Sequence, residues 1–83
     1  MQYTLIFKPQ SIKDCKYIPK NHVTHIFEKI ELLQNNLTGD VKKLTDFSPE
    51  YRLRAGNYRV LFECEDDVIV IYRILHRKDA CTL

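Results

Sequence analysis

Three arginines surround a tight turn in the segment 51–59, whose sequence is YRLRAGNYR. Arginine suits phosphate recognition because its planar guanidinium donates paired hydrogen bonds to phosphate oxygens. If Gly56-Asn57 forms a two-residue turn, the alternation of side chains along a strand places Arg52, Arg54 and Arg59 on one face. Like charges directly opposite each other destabilise a sheet, so this face requires an acidic neighbour, an anionic ligand or solvent.

The charge pattern leaves two interpretations of this face open. The arginines either bind a nucleic-acid backbone or form a solvated basic face with Glu50 or Glu63 nearby. Net charge is only +2, but segments 41–59 and 72–83 together contain eight of the thirteen basic residues and three of the eleven acids. The sequence therefore predicts a local basic patch on a nearly neutral protein.

A histidine near the C-terminus could add acid–base chemistry to this patch. A two-residue turn at Asp66-Asp67 would place Arg59 opposite Ile74 and on the same face as His76, whereas a three-residue loop would reverse the faces. Guanidinium groups beside an imidazole suit RNA cleavage, in which the ribose 2′-OH attacks the adjacent phosphate and negative charge builds up. From position alone, an ordinary residue at a strand end remains the alternative interpretation of His76.

Length and composition indicate one small domain over 1–83. No apolar run is long enough to span a bilayer, and the N-terminus lacks the pattern of a signal peptide, which predicts a cytoplasmic protein. The cysteines at 15, 64 and 81 form no CxxC pair, and the histidines show no zinc-ligand spacing. We therefore expect no metal, no cofactor and no disulfide framework, with Cys15 and Cys64 packing as small core residues.

Hydrophobic periodicity predicts an α+β fold, with a strand, a two-helix hairpin and then a three-stranded antiparallel meander. The helices pack on one face of the sheet, and the other face stays partly open. The last strand contains a continuous β-branched run, typical of a central strand covered on both faces. The predicted elements are a strand over 2–7, helices over 9–17 and from Pro19 to Asn35-Asn36, a polar connection over 38–49, and strands over 50–55, 58–65 and 68–77.

Taken together, these elements resemble the RelE/ParE superfamily of toxin–antitoxin toxins over nearly the whole chain. The resemblance rests on the strand–helix–helix opening and three further segments: LTGDVKKL at 37–44, YRLRAGNYRV at 51–60 and ILHRKDA at 74–80. The second and third of these segments together are fairly specific. The RelE branch is the more similar, which implies a RelE-like microbial RNase fold.

The resemblance implies a ribosome-dependent mRNA endoribonuclease that inhibits translation by a metal-independent 2′-OH attack. It also implies a cognate antitoxin protein, the ribosome and mRNA as partners, and no membrane association. Mapped residue by residue, it assigns catalytic roles to Arg59, Arg77, His76 and Cys81. The RNA-binding residues expected on the same surface are Arg52, Arg54, Lys42, Lys43 and Lys78.

Two positions depart from the family pattern. A lysine of some RelE toxins falls at Glu50, and a late tyrosine falls at Cys81, where a thiol neither stacks on a base nor matches the acid–base behaviour of a phenol. The departure at Cys81 predicts weakened cleavage. Two alternatives stay open: a ParE-like inhibitor of DNA gyrase, and an attenuated, non-enzymatic homologue that binds an antitoxin.

Overall fold

The computed structural model describes residues 2–80, and this range contains two helices and five strands. In chain order they are β1 (Thr4–Phe7), α1 (Pro9–Cys15), α2 (Lys20–Leu33), β2 (Asp40–Lys43), β3 (Tyr51–Ala55), β4 (Tyr58–Glu65) and β5 (Val68–His76). The predicted α+β class and the order of strand, helix, helix and sheet are confirmed. The first helix ends at Cys15, two residues earlier than predicted.

The strands form one sheet in the order β1-β5-β4-β3-β2. β1 runs parallel to β5, and the other neighbours are antiparallel. The prediction of a polar connection over 38–49 is therefore wrong in part, because β2 pairs with β3 as a further strand of the meander. β2 contains one half-buried residue, Val41, between exposed charges. β2 is held by backbone hydrogen bonds to β3 and not by burial of an apolar face. The hydrophobic pattern of the sequence therefore gives no sign of it.

The core lies between α2 and one face of the sheet. Ile26, Ile30 and Leu33 recur at the helical spacing of four and three residues, and all three are buried. Phe27 stacks on Phe7 of β1 with ring centroids 5.6 Å apart. The sheet contributes the buried side chains Leu53, Ala55, Val60, Phe62, Ile69, Ile71 and Ile74.

The apolar strand β5 lies inside the sheet, between β1 and β4. The prediction that both of its faces are covered is wrong. Ile69, Ile71 and Ile74 are buried, whereas Val68 and Val70 on the other face are half-buried. β-branched residues suit a pleated, half-buried surface as well as full burial. The β-branched run in β5 therefore does not show whether one face of the strand is covered or both.

The turn between β3 and β4 forms as predicted. Ala55 lies opposite Tyr58, and Arg54 lies opposite Arg59. Gly56 adopts a φ of 61°, a left-handed conformation that glycine adopts without a steric penalty. This turn therefore fixes which side chains of the two strands share a face.

A β-bulge in β5 changes the predicted register of the last hairpin. The two-residue turn after β4 is confirmed, but one extra residue, Tyr72, shifts the pairing beyond it by one position. Arg59 therefore lies opposite Leu75, not Ile74. His76 consequently belongs to the helix-covered face, and the prediction that it shares a face with Arg59 is wrong.

Candidate nucleic-acid interface

Four cations share the sheet face opposite the helices. Arg54 lies opposite Arg59, and Lys42 lies opposite Arg52, so that the register aligns their side chains on one surface. We refer to Lys42, Arg52, Arg54 and Arg59 as the basic face. The predicted clustering of the three arginines is therefore present in the fold.

Arg59 is the most constrained of these cations. Its Nη1 donates hydrogen bonds to the carbonyl oxygens of Gly56 (2.9 Å) and Tyr58 (3.0 Å), which tie the guanidinium to its own turn. Partial burial, followed by repulsion from Arg54 and Arg52, lowers the pKa of Arg59 from its ordinary value. An anion bound to the basic face would relieve that repulsion, and the guanidinium has donors left to bind it.

Arg52 supplies the clearest sign of an unmet interaction. Its Nε is buried and has no hydrogen-bond partner within the part of the chain that the structure describes. Buried donors in folded proteins are almost always paired, so an unpaired one needs an explanation. Within residues 2–80, Arg73 and Asp14 form the one salt bridge. The basic face therefore has no salt bridge of its own in this range.

Glu63 does not provide the acidic neighbour expected for the arginines. Its carboxylate accepts hydrogen bonds from the hydroxyls of Ser48 (3.2 Å) and Tyr72 (3.2 Å) instead. The acid beside the basic face is Asp40, opposite Arg54, which partly offsets the repulsion felt by Arg59. Around Arg59, the charges of Arg52, Arg54 and Arg77 outweigh that of Asp40, which leaves this part of the surface positive.

Three other cations were predicted from the sequence to take part, Arg77 in catalysis and Lys43 and Lys78 in RNA binding, and they differ in their position relative to the basic face. The backbone N–H of Arg77 donates to the Asn57 carbonyl at 2.7 Å, and its charge contributes to the repulsion felt by Arg59. Lys78 is exposed in the turn after β5. Lys43 pairs with Tyr51, which places it on the opposite side of the sheet from Lys42.

His76 is fixed on the helix-covered side. Its ring meets Tyr58 edge-on at 5.3 Å, and its Nδ1 accepts a hydrogen bond from the backbone N–H of Lys78 at 3.2 Å. The ring of Tyr58 also approaches His22 at 5.6 Å. This contact gives His22 a packing role.

The cysteines fall into two groups. Cys15 and Cys64 are half-buried free thiols against the core, and burial raises the pKa of both. Both therefore react slowly as nucleophiles. Cys81, assigned to catalysis from the family resemblance, lies outside the described residues.

An interaction that sequence reasoning missed holds the end of β5. Asp14 of α1 accepts hydrogen bonds from Arg73 Nε (2.9 Å), Arg73 Nη2 (3.1 Å) and the backbone N–H of Ile74 (2.9 Å). Burial alone would raise the pKa of Asp14, but the bonds from Arg73, Ile74 and Gln10 outweigh it and lower the pKa. In the sequence, Arg73 interrupts the apolar run of β5, and a charged residue in such a run indicates a charged partner.

Residues 2–80 contain no group of three or more histidine, cysteine or acidic side chains placed to hold a metal ion. Neither helix in this range is long and apolar enough to cross a membrane.

Comparison with known proteins identifies the family. Residues 5–81 match the model of the ParE toxin of the type II toxin–antitoxin system parDE. The chain is also 35% identical over 83 residues to toxin RelE3 of Methanocaldococcus jannaschii, with 89% of this chain and 90% of the relative aligned. The chain belongs to the RelE/ParE superfamily of type II toxin–antitoxin toxins.

Solved RelE structures show the same fold as this toxin. The RelB–RelE antitoxin–toxin complex from Methanococcus jannaschii superimposes with a TM-score of 0.76 at 36% identity, covering 93% of this chain and 95% of the other. The RelE–RelB complex from Pyrococcus horikoshii gives 0.74 at 29% identity, covering 93% and 97%. The resemblance inferred from the sequence is confirmed at the level of family and fold.

Proposed function

We propose that this toxin is an endoribonuclease that cuts mRNA in the ribosome and so inhibits translation. The observation that supports this most directly is the basic face, where Arg54 and Arg52 repel Arg59 and the buried Arg52 Nε has no partner within residues 2–80. An RNA phosphate supplies the oxygen acceptors that such a surface lacks. RelE-family toxins are generally endoribonucleases, which agrees with this proposal.

The reaction is a transesterification along the RNA strand. The ribose 2′-OH attacks the adjacent phosphorus as the bond from phosphorus to the 5′-oxygen breaks, leaving a 2′,3′-cyclic phosphate and a free 5′-OH. A general base takes the 2′-OH proton, and a general acid protonates the departing 5′-oxygen. Arg59 and Arg77 stabilise the charge on the phosphorane, so the proposed reaction requires no metal ion.

The other cations bind and orient the RNA strand. Arg52, Arg54 and Lys42 contact phosphates on either side of the cleaved bond, because they share the face with Arg59. Lys78 is exposed in the turn after β5, and Lys43 lies on the other face of β2, so both act on the RNA through longer-range attraction. They therefore raise the association rate more than they orient the reacting groups.

Proton transfer is assigned to His76, with a condition that the fold imposes. Its Nδ1 is used by the Lys78 N–H, so that Nε2 is the nitrogen left for acid–base chemistry. Because the ring lies on the helix-covered side, this role requires the RNA strand to reach over the end of the sheet, where Tyr58 and Arg59 are neighbours. Cys81, at the position of the family tyrosine, is a weak substitute for that group.

We further propose that a cognate antitoxin holds the toxin inactive. The RelE relatives from two archaeal species were solved as complexes with RelB antitoxins. A segment that covers the basic face would block RNA from the same arginines. Expression of this toxin alone should therefore arrest growth, and co-expression of the small open reading frame beside its gene should restore it.

A second function is favoured by one observation. The family model that matches residues 5–81 is that of the ParE toxin, so inhibition of DNA gyrase is the alternative to RNA cleavage. ParE toxins need none of the residues proposed here for RNA chemistry. A third alternative, an attenuated homologue that binds its antitoxin, follows from Cys81.

Two assays in parallel separate these functions. The purified toxin should block cell-free translation and cut mRNA in programmed ribosomes, while leaving gyrase supercoiling unchanged. Arg59→Ala should abolish the block, whereas Lys20→Ala, an exposed cation on α2, should not. Gyrase inhibition without cleavage would assign the toxin to the ParE branch, and inactivity in both assays with antitoxin binding intact would favour the attenuated form.

A further inference from the structure

A cleft of about 310 Å³ lies where the end of α1 meets the end of β5. Its lining comes from both faces of the sheet, because Leu75 lies opposite Arg59 and His76 lies opposite Tyr58. Its volume is at the lower end of the range for small-molecule sites. We refer to it as the aromatic cleft. It is lined by Asp14, Tyr17, Ile18, Tyr58, Arg73, Ile74, Leu75, His76 and Asp79.

The aromatic side chains of the cleft suit stacking. Tyr17 is 88% exposed, so its ring has almost no packing partner in the folded chain. Tyr58 is held between the rings of His22 and His76 at 5.6 and 5.3 Å, which restricts its orientation before any ligand arrives. Tyr17 and Tyr58 both line the cleft, so a planar group bound there can contact both rings, and nucleobases stack on such rings.

The polar groups of the cleft offer one free carboxylate. The carboxylate of Asp14 is fully engaged by Arg73, Ile74 and Gln10. Asp79 donates its backbone N–H to the His76 carbonyl at 2.8 Å, which fixes the turn, while its carboxylate makes no hydrogen bond to residues 2–80. An ionised carboxylate accepts hydrogen bonds through two oxygens and donates none.

That acceptor pair distinguishes among the four RNA bases. Guanine has two donors side by side, N1–H and the N2 amino group, which match two carboxylate oxygens. Adenine and cytosine each place one amino donor beside a ring-nitrogen acceptor, and uracil places its one N–H between two carbonyls. Because an acceptor facing a carboxylate oxygen is repelled, guanine is the base that fits Asp79.

The aromatic cleft and the basic face meet at one end of the sheet. Tyr58 lines the cleft, and the next residue, Arg59, points to the opposite face. The N–H of Arg77 bonds to the Asn57 carbonyl, which holds the end of β5 against the β3–β4 turn. A single strand whose phosphates lie on Arg54 and Arg59 can therefore turn one base over this end into the cleft.

We propose that the aromatic cleft binds one guanine base of single-stranded RNA, stacked between Tyr17 and Tyr58 and hydrogen-bonded to Asp79. This inference rests on the proposed action on RNA and adds a base-selective subsite to it. The basic face binds the phosphates of any sequence, and the cleft selects the base.

The test is RNA binding without cleavage. Fluorescent tetranucleotides UUGU, UUAU and UUUU, fully 2′-O-methylated so that no 2′-OH can react, are titrated with the toxin in an anisotropy assay. UUGU should bind at least about fivefold tighter than the other two, because guanine alone offers two adjacent donors to the Asp79 carboxylate. Guanosine monophosphate should shift the NMR signals of Tyr17 and His76 more than uridine monophosphate does.

Variants assign the selectivity to the cleft. Tyr17→Ala should weaken UUGU binding about fivefold or more and leave the fold intact, because the side chain is exposed. Asp79→Asn should remove the preference for UUGU over UUAU. Phe47→Ala, an exposed aromatic outside the cleft, and Asp67→Asn, an exposed acid in the turn after β4, should leave both properties unchanged.

Several results would overturn this proposal. They are equal binding of the three oligonucleotides, no binding of RNA or guanosine monophosphate, and full selectivity in both cleft variants. Weaker antitoxin capture by Tyr17→Ala with RNA binding unchanged would make the cleft a protein contact and equally reject it. Selective RNA binding by a toxin that cuts no mRNA on ribosomes would keep the cleft and reject the proposed reaction. Cleavage of mRNA on ribosomes without base-selective binding would reject the cleft and keep the proposed reaction.

Discussion

Arg59 is the residue on which the proposed chemistry depends most. It lies within the sheet, and two backbone carbonyls hold its guanidinium in place. Arg59→Ala should remove about 2–4 kcal/mol of transition-state stabilisation, the range for one fixed electrostatic donor. Arg77→Ala should have a comparable effect, and Arg52→Ala a smaller one through phosphate positioning. Single-turnover cleavage of ribosome-bound mRNA measures each loss.

The matched control for these variants is Lys13→Ala, an exposed cation on α1. Circular dichroism should show that every variant is folded before rates are compared. A folded Arg59→Ala variant that cuts mRNA as fast as the parent would refute the placement of the active site.

Cys81 permits a gain-of-function experiment. The family resemblance places a tyrosine at this position, where it can stack on a base and exchange a proton. Cys81→Tyr should therefore raise the cleavage rate, and Cys81→Ala should change it little. No gain from the tyrosine would mean that the thiol is not what limits the reaction in this toxin.

Asp14 links residue-scale electrostatics to stability. Its folded-state pKa is lowered below the ordinary value of 3.8. The stabilisation is therefore fully present above about pH 4 and is lost as the pH falls through the lower folded-state value. Asp14→Asn should reduce the free energy of unfolding by about 1–2 kcal/mol at pH 7, a modest figure because Arg73 is partly exposed.

Urea unfolding at pH 7 and at about pH 3 tests this prediction. The difference in the free energy of unfolding between the parent and Asp14→Asn should narrow at the lower pH, because the unfolded parent then binds a proton at Asp14 that the folded carboxylate resists. Asp67→Asn serves as the control, since no side-chain bond of Asp67 is present in the described residues. The same difference in the free energy of unfolding at both pH values would show that the packing of Asp14, rather than its charge, stabilises the fold.

At the scale of elements, the β3–β4 turn determines how the basic face is assembled. Gly56 has a φ of 61°, which costs other residues about 1–2 kcal/mol, while asparagine adopts it more readily. Gly56→Ala should therefore lower the thermal unfolding midpoint more than Gly56→Asn does. Equal midpoints for the two variants would mean that the turn relaxes without strain.

The strand pattern predicted the sheet only in part. Alternation identified β3, β4 and their turn, since one face of each strand is buried. It gave no indication of β2, because an edge strand with one half-buried residue has little apolar pattern to detect. The bulge at Tyr72 was equally hidden, because β-branched and aromatic residues suit either register.

Across the whole molecule, charge is separated into two regions. The basic face lies toward the β3–β4 turn, whereas Glu65, Asp66 and Asp67 cluster at the opposite end of β4. An acidic partner is attracted and oriented by such an arrangement, and salt screens the attraction. The association rate with the antitoxin should fall about tenfold between about 50 mM and about 500 mM salt.

Stopped-flow association measures that rate. The double variant Arg52→Gln/Arg54→Gln should associate more slowly and show a weaker salt dependence than the parent. The matched control, Lys13→Gln/Lys16→Gln at the end of α1, should keep the salt dependence. A partner whose association is independent of salt would dock through apolar contacts instead of the basic face.

The sequence by itself determined the α+β class, the family, the amphipathic α2 and the row of arginines around the β3–β4 turn. These features are local, since a two-residue turn and the alternation of a strand fix which neighbours share a face. The tertiary structure decided which face His76 joins, how Asp14 holds the end of β5 and that Tyr17 and Tyr58 line one cleft. Those outcomes depend on a one-residue bulge and on contacts between residues far apart in the chain, which no local pattern records.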